Sequence, residues 1–295
     1  MTTIPTTVRI AAMGDIHCTR TSQGVLQPLF AEAADLADIL VLTGDLTDYG
    51  LPEEARVLTK ELSGIRVPVV AVLGNHDFES GKEAEVCSIL ADAGVHVLDG
   101  ESFEALGVGF AGIKGFAGGF GRGTLGAWGE QTIKNFVNEA VHEALKLETA
   151  LARLRSTPRI ALMHYSPIRA TCVGEPLEIF PFLGCGRLEE PLTRYPVVAV
   201  VHGHAHNGTP EGTTSAGMPV YNVSLPLLRR LDPRGLPVRI IEVETTPSEE
   251  TPVSSYAGLE RRAAAAARGA SGASGASGAS GAASKAASGT TSSTQ

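Results

Sequence analysis

The sequence predicts a layered α/β domain. Two observations carry that expectation. Eight short apolar runs, rich in β-branched residues, recur along the first 245 residues. Segments with helical periodicity, or long loops, fall between them. Continuous rather than alternating apolar character marks strands buried on both faces, as in sheets covered by helices.

The elements follow in order. VRIAAM (8–13) is the first predicted strand, and residues 26–37 fit one helix. ILVLT (39–43) is the second strand. PEEARVLTKEL (52–62) opens with Pro and two acids, which suit the positive end of a helix dipole. VPVVAVL (67–73) precedes KEAEVCSILADAG (82–94), a helix that Gly94 would stop. VGFAGI (108–113) leads to a long helix over about 130–155. There Ile133, Val137, Ala140, Ala144, Leu147, Leu151 and Leu154 are spaced by alternate fours and threes and form one apolar stripe. Pro158 lies just past its end. RIALM (159–163), PVVAVV (196–201), PVYNVSL (219–225) and VRIIEVE (238–244) complete the strands.

Two stretches fit neither pattern. Residues 107–129 hold ten glycines, and 166–196 hold five prolines. Both read as functional loops. From about 246 a linker, TTPSEETPVSSY, passes into a repeated Gly-Ala-Ser unit. Such a segment has too little apolar surface to offset ordering entropy. The expected organisation is a domain over 1–245 and a disordered tail over 246–295.

The net charge is −8, and residues 1–259 carry 31 acidic against 20 basic side chains. So acidic a body is a poor match for a phosphate backbone, and no nucleic-acid partner is expected. Cys18, Cys87, Cys172 and Cys185 contain no C-x-x-C pair and do not read as a disulfide framework. No signal peptide is read before the first strand. No run approaches the roughly 20 apolar residues of a membrane helix. A cytoplasmic protein without a membrane partner is the expectation, and the oligomeric state stays open.

The polar residues that follow the strands repeat one theme. Gly14-Asp15-Ile16-His17 follows the first, Gly44-Asp45-Leu46-Thr47-Asp48 the second, and Gly74-Asn75-His76-Asp77 the third. His164 follows RIALM, and His202-Gly203-His204-Ala205-His206 follows PVVAVV. Six of the eight histidines sit at these ends. Ligands of α/β sheets bind beyond the carboxyl ends of strands. Taken singly, Gly-Asp is ordinary turn chemistry and a lone histidine is ordinary core. Five clusters of imidazole, carboxylate and carboxamide at five strand ends would require five coincidences. Mixed N and O donors without thiolate suit Mn, Fe or Zn. There are enough donors for two ions, and Asp45 is the natural carboxylate to bridge them.

The order Asp-x-His, Gly-Asp-x-x-Asp, Gly-Asn-His-Asp, lone His, Gly-His-x-His resembles the calcineurin-like metallophosphoesterase superfamily. Within it the sequence is most similar to bacterial class III cyclic-nucleotide phosphodiesterases. The resemblance implies a four-layer αββα sandwich with the metal site at the strand C-terminal ends. It implies one ion on Asp15, His17 and His206, a second on Asn75, His164 and His204, and Asp45 between them. His76 would face the leaving group as proton donor, Asp48 would orient His76, and Asp77 would act from behind the ligands. It also implies a dinuclear phosphohydrolase, a phosphodiesterase of a small nucleotide or related phosphoester, in which two divalent ions yield a bound hydroxide near neutral pH. A phosphomonoesterase or phosphoprotein phosphatase is the nearest alternative. Tyr49 stands where protein phosphatases of this superfamily typically carry Arg. A non-catalytic metal-binding scaffold is the alternative of another class. His202 reads as packing and Cys18 as a buried thiol. Arg122, Tyr165, Arg169 and Arg187 are secondary candidates for substrate contact.

Overall fold

A computed structural model describes residues 6–245; the linker and tail expected over 246–295 lie outside the described residues. Eleven strands form among them: β1 (Thr6–Met13), β2 (Ile39–Thr43), β3 (Val69–Val72), β4 (Val95–Val97), β5 (Glu101–Ala105), β6 (Val108–Gly112), β7 (Arg159–Leu162), β8 (Ala199–His202), β9 (Glu211–Thr213), β10 (Pro219–Asn222) and β11 (Arg239–Thr245). The helices are α1 (Gln27–Asp35), α2 (Pro52–Glu61), α3 (Glu83–Asp92), α4 (Gln131–Arg153), α5 (Phe180–Leu183), α6 (Glu190–Arg194) and α7 (Leu225–Leu231).

The strands make two sheets, ordered β11-β1-β2-β3-β4 and β5-β6-β7-β8-β10-β9. Strands β1 to β4 run parallel, as do β6, β7, β8 and β10. Only β11, β5 and β9 are antiparallel to their neighbours, and each is an edge.

Side-chain alternation along the strands explains the layering. Ile10, Ala12, Ile39, Val41, Val70 and Val72 of the first sheet pack against Phe110, Ile160, Leu162, Ala199 and Val201 of the second. Their neighbours in sequence point the other way. Ala11, Met13, Leu40, Leu42 and Ala71 meet Phe30 and Ala33 of α1, Ala55 and Leu58 of α2, and Val86 and Leu90 of α3. On the far side Ala111, Ala161 and Val200 meet Ala140, Leu147, Ala150 and Leu151 of α4. The result is helix, sheet, sheet, helix: the four-layer sandwich that the motifs implied. The inner strands are apolar on both faces because both faces are covered, and each large side chain so buried contributes roughly 1.5–3 kcal/mol.

Two expectations change. The run read as one strand over 219–225 stops at Asn222, and Leu225 opens α7 after Ser224. Pro226 in the first turn and a chain that must leave the sheet explain the switch. The two long loops are also not structureless. Residues 166–196 form short helical turns, α5 and α6. They are tied to the glycine-rich stretch by Gly118 N to Pro181 O (2.7 Å) and Gly119 N to Gly184 O (2.9 Å).

The sheets are also stitched where their parallel strands end. Gly14 N donates to Val223 O at 2.9 Å, and Leu225 N returns to Gly14 O at 2.9 Å. Ends that belong to different sheets are thereby brought into one place.

Candidate metal centre

Close backbone approach creates the site. A Cβ on Gly74 would lie 2.2 Å from Asp45 Oδ1, and one on Gly44 would lie 2.5 Å from His164 Nδ1. Gly44 also has φ +83°, a conformation natural to glycine. These two glycines, each just before a functional residue, let a neighbouring strand end reach over them.

Four of the candidate residues themselves hold strained backbone. Asp15, His17, Asp45 and His204 have φ of 57°, 47°, 47° and 68°. Among the described residues only Leu106 joins them as a non-glycine with positive φ. Asp and His tolerate this region better than most residues, yet each instance still costs about 1–3 kcal/mol. Such strain concentrates where geometry serves function.

Three donor groups result among the described residues, one of them His17, Asp45 and His76, and the other two built only from residues expected to bind metal. In the first of these two, Asp15, His17 and His206 converge, with His206 Nε2 2.8 Å from Asp15 Oδ1. In the second, Asp45, His164 and His204 converge. Here His164 Nε2 lies 3.0 Å from Asn75 Oδ1, 3.1 Å from His204 Nδ1 and 3.4 Å from Asp45 Oδ2. The same Asp45 oxygen lies 3.8 Å from His17 Nε2. Asp45 thus stands between the two clusters. All seven residues expected to bind metal are brought together.

Main-chain carbonyls fix the tautomers. His164 Nδ1 meets Thr43 O at 2.9 Å, and His204 Nε2 meets Phe182 O at 3.1 Å. A carbonyl only accepts, so both ring atoms carry hydrogen. The opposite nitrogens, His164 Nε2 and His204 Nδ1, face each other at 3.1 Å, and with both rings neutral they present lone pairs beside two more acceptors on Asn75 and Asp45. Four acceptors around one point require a positive charge there. Histidine ligands of metals show this same arrangement, with the second ring nitrogen held by a carbonyl or carboxylate. The residues present fit a divalent cation.

The electrostatics agree. Burial alone would lower His164, but the charge of Asp45 and the hydrogen bond to it raise the imidazole to about 9. Burial would raise Asp45, yet His164 holds it well below the usual carboxylate range. Burial, together with the His164 charge, lowers His204 to about 4. A proton held between His164 and Asp45 occupies the place where a metal would compete for it.

Asp48 and His76 differ in detail from the expectation. The Asp48 carboxylate stands 3.2 Å from His17 Nδ1. It is the Asp48 main-chain carbonyl that takes the His76 Nδ1 hydrogen, at 2.8 Å. The loop after β2 turns back at Gly50, so its carbonyl rather than its side chain faces the third strand end. Asp48 therefore orients both imidazoles, one with each group. His76 donates its main-chain N–H to Asp45 Oδ1 at 2.9 Å, and its ring lies edge-on to His17 with centroids 4.7 Å apart. Its side chain is about one-third exposed (34%), more than those of His17 and His164.

Asp77 is fully buried and accepts from Leu46 N (3.1 Å), Thr47 N (2.8 Å), Gly74 N (2.8 Å) and Thr47 Oγ1 (2.6 Å). Burial and the nearby Asp45 charge push its carboxyl up. It ties the β2 end to the β3 end and so sets Asp45 against Asn75. Asp77→Ala leaves three buried main-chain donors without partners, each costing about 1–3 kcal/mol. The expected loss is about 3 kcal/mol or more in urea unfolding. A loss under about 1 kcal/mol would mean that the two loop ends hold together without it.

His202 is buried and bonds to Gly203 O and to Thr171 Oγ1 (2.7 and 2.8 Å), outside the donor clusters. Cys18 is buried, and burial pushes its thiol up to about 12. Arg169 stacks on Phe180 and Arg187 turns to Cys185 Sγ, both within the 166–196 segment. Arg122 lies exposed in the glycine-rich loop. Tyr165 packs its ring 4.5 Å from that of His204. Two contributors have no signal in the sequence, because they act through main-chain oxygen: Thr43 and Phe182.

The family model described as calcineurin-like phosphoesterase matches residues 8–208, which span every donor above. No curated protein sequence matches the chain significantly. Among solved structures, phosphopantetheinyl hydrolase from Mycobacterium tuberculosis is similar at 16% identity and TM-score 0.55, covering 82% of this chain and 98% of its own. The protein TT1561 of Thermus thermophilus is similar at 15% identity and TM-score 0.47, covering 81% of this chain and 99% of its own. The first of these likenesses concerns the fold alone.

Proposed function

The chain belongs to the calcineurin-like phosphoesterase family, and from that membership and the donor geometry we propose that it is a dinuclear metal-dependent phosphodiesterase of small phosphoesters. The observation that carries the reading is Asp45 Oδ2, which faces His17 Nε2 at 3.8 Å and His164 Nε2 at 3.4 Å. One carboxylate shared by two imidazole clusters suits a pair of ions.

Asp15, His17 and His206 would hold one ion, and Asn75, His164 and His204 the other, with Asp45 common to both. Mn, Fe and Zn suit this oxygen and nitrogen set. Such ions supply a water of lowered pKa and neutralise charge on the phosphoryl oxygens. The protein's own part is orientation. Thr43 O and Phe182 O fix which nitrogens face the ions. The Asp48 carboxylate fixes His17, and the Asp48 carbonyl fixes His76 with Nε2 free to give a proton to the departing oxygen.

A diester is favoured over a monoester because, among the described residues, no guanidinium is bonded to a donor side chain. Arg230 reaches only the main-chain oxygen of His206, at 2.9 Å, and the Asn207 side chain, and Tyr49 is exposed beside Asp48. A monoester's additional charge would call for a guanidinium on the phosphoryl group. The substrate is proposed to be a small molecule rather than nucleic acid, given the acidic composition. Among the described residues no helix is long and apolar enough to cross a membrane, and four free thiols support a reducing, cytoplasmic setting.

The test is hydrolysis by protein loaded with Mn, Fe or Zn, using bis-p-nitrophenyl phosphate against p-nitrophenyl phosphate. The expected result is metal-dependent turnover that favours the diester and is abolished by chelation. Preference for the monoester would move the reading to a phosphomonoesterase. Two bound metals without turnover of either ester would favour the scaffold.

A further inference from the structure

Beside the metal centre lies a buried ammonium that none of the proposed chemistry uses. Lys114 follows β6, whose end stands next to that of β7. Its main-chain oxygen accepts from His164 N at 2.9 Å and from Tyr165 N at 3.2 Å, so it is built into the wall of the second donor cluster. The residue is only 8% exposed.

Its side chain enters a cage of three rings. Nζ lies 4.9 Å from the Phe116 centroid, 5.3 Å from Phe78 and 5.5 Å from Tyr165. Phe78 is two residues past His76, and the Tyr165 ring lies 4.5 Å from that of His204. The ammonium therefore sits between the loop that carries His76 and the loop that carries His164.

The cage stabilises a cation but accepts no conventional hydrogen bond. Of three N–H groups, one reaches an oxygen, Gly115 O at 2.9 Å. Among the described residues no carboxylate lies within ion-pair distance of Nζ. The carboxylate of Glu143 is already engaged by Lys146 Nζ and by Gly115 N, each at 2.6 Å. A buried cation without an anion in contact is costly. Burial pulls its pKa below the ordinary lysine value, against the opposing charges of Glu143 and Glu139.

We propose that Lys114 is a substrate-binding residue that takes a second anionic group, a carboxylate or another phosphate, on the substrate's leaving-group side. The inference rests on the phosphoester activity proposed above and narrows its substrate class to esters with a second negative charge. The rings hold the ammonium in place without neutralising it, which is what a preformed anion subsite needs. A surface lysine would lose its attraction to bulk water and salt, whereas this one is shielded.

Two ligands separate the second charge from the first. 3-Phosphoglycerate and glycerol 3-phosphate share a phosphate and differ by a carboxylate in place of a hydroxymethyl group. Calorimetric titration of manganese-loaded protein should show the native chain preferring 3-phosphoglycerate. In Lys114→Met that preference should fall about tenfold, the size of one lost charged hydrogen bond. Lys114→Gln, which keeps a polar head without charge, should lose the preference as well, and thermal melting of both variants checks that they fold. No preference in the native protein, or equal weakening of both ligands in the variants, overturns the subsite. Failure to hydrolyse either nitrophenyl ester would instead overturn the proposed function, and the two outcomes are read in separate experiments.

Discussion

Asp45→Ala is expected to lose both metals, not one. Among the described residues its Oδ2 is the side-chain oxygen placed against both a first-cluster and a second-cluster imidazole, at 3.8 Å from His17 and 3.4 Å from His164. It also accepts the His76 main-chain N–H through Oδ1 at 2.9 Å. Removing it takes away the single carboxylate charge that the two proposed ions would share and frees the third strand end. Elemental analysis of protein refolded or dialysed against manganese should then fall from about two ions per chain to well under one, and turnover should fall on the order of 10³-fold. The folded state should survive, because the variant also relieves the burial of a charge. A variant that kept two ions per chain would remove Asp45 from the shared position. One that kept a single ion would mean that one cluster is complete without it, and the occupied cluster would show which.

The contrast between what the sequence discloses and what it does not has a physical basis. The inner strands are legible because both of their faces are covered, so the residues along their centres are apolar. The three strands without a sequence signal, β4, β5 and β9, are all edges. Glu101–Ala105 and Glu211–Thr213 carry charge on exposed positions, so no apolar run announces them. The donor residues are legible for a related reason. A buried parallel strand has no use for imidazole or carboxylate, so polar residues at its end stand out against the run before them. Asp48 shows the limit of that reasoning. Its spacing within Gly-Asp-Leu-Thr-Asp places it near the other donors but does not say which of its oxygens faces which ring. That depends on the path of the loop through Gly50. Thr43 and Phe182 show it more strongly, since a main-chain carbonyl is present at every position and carries no mark in the sequence. Lys114 carries no mark either, because a single lysine after a strand is ordinary until three rings from separate segments are seen around it.

His76→Ala is the second variant with a large expected effect, and its pattern matters more than its size. His76 is brought to the centre yet differs from the other imidazoles. Its Nδ1 is held by the Asp48 carbonyl at 2.8 Å and approached by Glu79 Oε1 at 3.3 Å, which leaves Nε2 as the exchanging atom. By contrast, His164 and His204 turn their free nitrogens toward each other at 3.1 Å. His76 does lie close enough to Asp45 and His17 to form a third cluster with them, so a ligand role is a real alternative with its own signature. As a proton donor, His76 matters in proportion to how badly the departing oxygen needs a proton. An alkoxide needs one and p-nitrophenolate does not. His76→Ala should therefore keep its full metal content and lose about 10²-fold or more with an alkyl diester, against less than about tenfold with bis-p-nitrophenyl phosphate. Equal losses with both esters, together with a fall in bound metal, would show that the imidazole serves as a ligand, and the proton would then have to come from elsewhere in the pocket.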